Sequence, residues 1–169
     1  MLIPFQKTLQ KKVTFQGVGL HSGLKTEVSV LPATENHGII FKRTDLNKNN
    51  TIKANFENVS SAILCTTLKN KFEVKVTTVE HLLAALYITG IDNALIEVSN
   101  SEIPIMDGSS KEFVETIAKV GIKNLNTKRK YLKIVKKFEL KENEKVISIE
   151  PDNNSLKVNF QLVYSNKVI

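Results

Sequence analysis

Arginine, cysteine and tryptophan are the residues this chain of 169 nearly does without: two arginines against 22 lysines, one cysteine, no tryptophan. The single Cys65 excludes an internal disulfide and fits a reducing compartment. The shortage of arginine qualifies the formal net charge of +7. Proteins that read bases and phosphates rely on the bidentate guanidinium fork. Lysine dispersed among asparagine and isoleucine instead makes a basic surface with nonspecific attraction for anions. No specific nucleic-acid partner is therefore expected, whereas an anionic substrate or an acidic membrane surface remains compatible. Long apolar runs are missing as well. The longest, Leu82 to Ile88, is far too short to span a bilayer, so no transmembrane segment is expected. Met1–Phe5 lacks the basic start and apolar core of an export signal, which predicts a cytoplasmic protein.

What is present reads as strands followed by two helices. Lys7–Phe15 is a strand candidate, followed by the glycine-rich turn Gly17-Val18-Gly19-Leu20-His21-Ser22-Gly23. Leu24 to Val30 alternates, placing Leu24, Thr26, Val28 and Val30 on one face. Gly38–Arg43, Ser61–Lys69 and Phe72–Val76 are further strand candidates, the last two joined by a turn at Asn70-Lys71. Thr77-x-x-Glu80 and Ser109-x-x-Glu112 both have the form of a capping box, with Gly90 and Gly121 as the stops of the helices they open. Ala94–Val98 is a short strand between the helices, and Asn100–Asp107 a loop stiffened by Pro104. This order predicts an α+β two-layer sandwich over residues 1–126, a sheet packed with two helices.

At about 100° per residue, Val79, Leu82, Leu83 and Leu86 form one stripe of the first helix, suited to packing on the sheet. His81 lies opposite, in line with Ala84, Ala85 and Ile88, so a second apolar face awaits a partner. Residues 127–169, beyond the polar link Asn124–Lys128, alternate as three strands. Leu132, Ile134, Phe138 and Leu140 share one face; Ile147 and Ile149 mark the second strand; Leu156, Val158, Phe160, Leu162 and Tyr164 mark the third. Each large apolar side chain left in water forfeits about 1.5–3 kcal/mol. A sheet with no helix to cover it therefore predicts the opening strands of an incomplete second domain of the same α+β type.

Glu80 and His81 carry the strongest chemical suggestion, a carboxylate beside an imidazole at a helix N-terminus. The helix field disfavours positive charge there, keeping the imidazole neutral for metal ligation and the carboxylate ionised to accept a proton. Bland roles exist for both: Glu80 as the capping-box partner of Thr77, His81 as a helix contact. A lone Glu-His is also a far weaker signal than H-E-x-x-H. A catalytic zinc takes three protein ligands, and the other histidines, His21 and His37, sit in turns. Asp107 precedes a helix, where an acid is explained by the free amides alone. Cys65, expected in a strand, reads as a small core residue with no neighbouring cation to activate it.

Taken together, Gly17–Gly23, Arg43-Thr44-Asp45-Leu46, Leu64-Cys65-Thr66, Thr78-Val79-Glu80-His81-Leu82, Gly90-Ile91-Asp92-Asn93 and Glu102-Ile103-Pro104-Ile105-Met106-Asp107-Gly108-Ser109 closely resemble the UDP-3-O-acyl-N-acetylglucosamine deacetylases. These are zinc-dependent hydrolases of lipid A biosynthesis in Gram-negative bacteria. The resemblance implies two α+β sandwich domains with the site between them and a nucleotide-sugar glycolipid as substrate. It implies His81 as a zinc ligand and Glu80 as the general base that deprotonates the zinc-bound water. His21, Cys65 and Asp107 match positions expected near the substrate. The family's remaining ligands, a helical His-x-x-x-Asp pair, and its histidine general acid have no counterpart in this sequence. The chain is therefore expected to be inactive alone, unless a separate polypeptide supplies the second half. The alternative is a non-catalytic scaffold or binding module that keeps the fold.

Overall fold

The computed structural model describes residues 4–152 and 156–163. The chain divides after Arg129 into two compact units. In the first, the strands β1 (Phe5–Leu9), β2 (Val13–Val18), β3 (Lys25–Pro32), β4 (Ile39–Arg43) and β5 (Thr51–Lys53) precede a three-stranded sheet of β6 (Val59–Ser61), β7 (Thr67–Lys69) and β8 (Lys75–Val76). Helix α1 (Glu80–Thr89), strand β9 (Ala94–Val98), helix α2 (Lys111–Val120) and strand β10 (Ile122–Lys128) complete it. The main sheet runs β2-β3-β9-β4-β5. All its pairings are antiparallel except β4 with β9, which run parallel from Ile39↔Ala94 to Arg43↔Val98.

Period-two alternation decides which face of this sheet is dry. Phe15 from β2, Val28 and Val30 from β3, Phe41 from β4, Ile52 from β5 and Ile96 from β9 are all buried. The helices supply Leu82, Ala85 and Leu86 from α1, and Phe113 and Ile117 from α2. Phe113 meets Phe15 edge to face, with ring centroids 4.8 Å apart. A mixed sheet packed against two helices is the α+β sandwich expected. Gly90 ends α1 in the left-handed region at φ 75°, where it replaces no side chain that would strain.

Several local expectations require correction. The strand expected over Lys7–Phe15 is two strands broken at Gln10–Lys12, and the one expected over Ser61–Lys69 is β6 and β7 with a loop between. Cys65 therefore lies in a loop, not a strand, beside Leu64 at φ 62°. Leu24 is half exposed just outside β3. Ala85 packs into the core, whereas Ala84, Tyr87 and Ile88 form the exposed face of α1. The segment Asn124–Lys128, expected as a polar link, belongs to β10 and pairs antiparallel with β1. Its polar residues are tolerated because β10 is largely exposed and contributes backbone pairing more than side-chain burial.

Neither capping box forms. Helix α1 starts only at Glu80, because Thr77 is held by backbone bonds to Ser101 and Ile103 and Thr78 turns through φ 57°. Before α2, Asp107 Oδ1 accepts both the N–H and the hydroxyl of Ser109, and Ser109 Oγ accepts the N–H of Lys111.

The second unit contains the antiparallel hairpin β11 (Phe138–Glu142) and β12 (Lys145–Ile149). Leu132, Phe138, Leu140, Ile147, Val158 and Phe160 are all exposed. Leu132 and Ile134 precede β11 rather than joining it, and residues 156–163 form no strand. Tyr164, expected at the end of that third strand, lies outside the described residues.

Candidate functional site

Three segments that are far apart in sequence meet around the start of α1. The first is the turn Gly19–Leu24, closed by Gly19 N–H to Leu24 O and Gly23 N–H to Gly19 O. The second is Thr77–His81. The third is the strap Ser101–Ile105, whose backbone bonds reach both sides: Thr77 N–H donates to Ser101 O, Ile103 N–H to Thr77 O, and Ile105 N–H to Val18 O.

Glu102 is the side chain at this junction. Its carboxylate is only 2% exposed, and it accepts the His21 N–H (3.0 Å), the Ser22 N–H (2.7 Å) and the Thr78 hydroxyl (2.9 Å). Burial pushes its pKa up, but the Ser22 hydroxyl, the two backbone N–H groups and Thr78 together outweigh burial and bring it down to about 2. It is ionised at neutral pH. A Cβ at Gly19 would collide with this carboxylate and with Ser22 Oγ, so the turn needs glycine there for clearance.

Glu80 and His81 occupy the first turn of α1, both half-buried. Glu80 Oε2 accepts the backbone N–H of Thr66 at 3.0 Å, which ties the carboxylate to the Cys65 loop instead of to a helix cap. The His81 carbonyl accepts the Ser110 hydroxyl at 2.9 Å, fixing the start of α2 against the start of α1. Cys65 Sγ lies 3.9 Å from Thr67 Oγ1. Asp107 is exposed, and the hydroxyl and N–H of Ser109 hold its carboxyl below the usual range. His21 is exposed on its turn. His37 is turn material, with Nδ1 3.0 Å from Gly38 O between two residues of positive φ.

Glu80 is thus linked directly to the Cys65 loop, His81 to the turn that follows Asp107, and His21 through Glu102 and Thr78 to the same helix start. Among the described residues no three His, Cys, Asp or Glu side chains are grouped to hold a metal ion. His81 is a single donor, and the residues present do not by themselves fit a catalytic zinc. Glu102 was visible in the sequence only as a letter of a motif. Its signal was a charged residue directly before Ile103 and Pro104 in an apolar stretch, where an acid stays only if donors surround it.

Residues 6–169 match the family model described as LpxC, UDP-3-O-acyl N-acetylglycosamine deacetylase. Over 164 residues the chain is 45% identical to the UDP-3-O-acyl-N-acetylglucosamine deacetylase of Colwellia psychrerythraea (strain 34H), covering 97% of this chain and 53% of that protein. It is 43% identical over 165 residues to the protein of the same description from Shewanella sp. (strain ANA-3), covering 98% and 54%. The counterpart from Shewanella frigidimarina is 42% identical over 165 residues. The chain spans about half the length of the curated relatives it matches.

Proposed function

Because the chain belongs to the UDP-3-O-acyl N-acetylglycosamine deacetylase family, we propose that it contributes the Glu80–His81 half of a site that hydrolyses the acetamide of UDP-3-O-acyl-N-acetylglucosamine. The observation that carries this reading is the half-buried Glu80 carboxylate, held by the Thr66 N–H at the start of α1 with His81 next to it. A carboxylate held in this position is suited to take a proton from a water molecule. His81 offers one imidazole donor. The zinc of this reading needs further donors from outside the described residues, supplied by more of the same polypeptide or by a separate one. His21, Cys65 and Asp107 are the proposed substrate contacts. A cytoplasmic site of action fits the lone cysteine.

The test is acetate release from the acylated UDP-sugar, with zinc, by the chain alone and by the chain combined with a polypeptide carrying the missing half of a relative. Activity is expected only in the combination. Glu80→Gln should lower it by about a hundredfold or more, and His81→Ala should reduce zinc retention as well as turnover. A combination that turns over substrate equally well with Glu80→Gln would refute the assignment. A second reading is a non-catalytic module that keeps the fold, in which Glu80 serves only to tie the start of α1 to the Cys65 loop. Under it, a cellular phenotype of the chain would survive Glu80→Ala and His81→Ala unchanged.

A further inference from the structure

We propose that Glu102 is a positioning residue that fixes His21 relative to the helix start bearing Glu80 and His81. A buried carboxylate is costly unless its lone pairs are filled, and here the donors come from two segments rather than one. The His21 and Ser22 N–H groups belong to the Gly19–Leu24 turn, and the Thr78 hydroxyl lies two residues before Glu80. Thr78 is a β-branched residue at φ 57°, a conformation that persists only where its surroundings over-determine it. The strap supplies that determination, binding Thr77 on one side and Val18 on the other while Glu102 reaches across both. Gly19 leaves no slack, since any side chain there would displace the carboxylate. A shift at position 102 therefore moves the His21 turn and the helix start apart together.

A residue serving stability alone would meet the same packing but would not act through His21. The substitution that separates the two is Glu102→Gln, which keeps the shape and turns an amide NH2 toward one of the donors. In the purified chain, hydrogen exchange at the His21 and Ser22 amides should quicken by roughly tenfold or more, with core amides such as Phe41 and Ile96 unchanged. Glu102→Asp should restore part of the protection. The kinetic arm rests on the deacetylase reading and uses the combined, active preparation. There Glu102→Gln should lower kcat/KM by roughly a hundredfold, and should add little once His21→Ala is present.

Wild-type exchange at both amides in Glu102→Gln, or losses that simply multiply with His21→Ala, would overturn the proposal. If no preparation releases acetate, the deacetylase reading fails while the exchange arm still decides the role of Glu102. Should Glu102→Gln not fold, Thr78→Val removes the Thr78 donor and takes its place in both arms. Unchanged exchange and unchanged kcat/KM in that variant would likewise overturn the proposal.

Discussion

At the scale of single residues, the two acids of the site are held by donors from other segments of the chain. Glu80 accepts one N–H, from Thr66, and Glu102 accepts two, from His21 and Ser22, together with the Thr78 hydroxyl. For Glu102 this has a consequence in acid. Its folded pKa of about 2 lies below the ordinary 4.5, so its stabilisation is complete above that ordinary value and is lost as the pH falls toward 2. Linkage sets this contribution on the order of 3 kcal/mol. Urea melts of the wild type and of Glu102→Gln should differ by a constant amount between about pH 7 and pH 5, and the difference should shrink in more acidic buffer. A gap that persisted unchanged to about pH 2.5 would mean the carboxylate contributes by shape rather than charge.

Between elements, the decisive joint is α1 against α2. Leu82 and Leu86 of α1 and Phe113 and Ile117 of α2 are buried in the same apolar cluster, and the Ser110 hydroxyl donates to the His81 carbonyl. Phe113→Ala should cost about 3–5 kcal/mol, since the ring is fully buried against Phe15. Ser110→Ala should cost only about 1 kcal/mol, yet it should change the His81 environment more, as shifts of the His81 signals would report. Both are readable by thermal melts paired with NMR spectra. The reverse ranking, with Ser110→Ala the more destabilising, would show that the polar tie dominates the joint.

The two helices, their glycine stops and most strands were legible because each rests on local pattern. Val28 and Val30, or Phe113 and Ile117, announce a buried face through spacing alone. The helix starts were not legible in detail. Thr77 and Glu80 have the letters of a capping box, but both are engaged by distant segments, Thr77 by the strap and Glu80 by the Cys65 loop. Long-range partners override local preference in the same way at Cys65, where alternation suggested a strand and a left-handed Leu64 breaks it. For the site, Glu80 and His81 stood out by type and spacing. Glu102 did not, because a buried ionised acid is explained only by donors that are 24 to 81 residues away.

On the scale of the whole chain, every buried apolar side chain among the described residues precedes Arg129, while the hairpin of the second unit has every residue of both strands exposed. Removing residues 130–169 should therefore leave the first unit folded with an unchanged melting temperature. Arg129 must be kept, because its guanidinium binds Asp92 and the Gly90 carbonyl at the end of α1. Loss of cooperative melting in the shortened chain would show that the second unit supports the first. Among the described residues no helix is long and apolar enough to cross a membrane.

The placement of β9 has a consequence for synthesis on the ribosome. It lies between β3 and β4, so neither of those earlier strands has its inner neighbour until residues 94–98 have left the exit tunnel. For that interval a nascent chain holds two unpaired edges and a row of valine, isoleucine and phenylalanine facing water, the state in which strands find wrong partners. The seam closes only when one late segment slides in and satisfies both sides at once. Translation speed between the emergence of β4 and the emergence of β9 is therefore expected to affect yield.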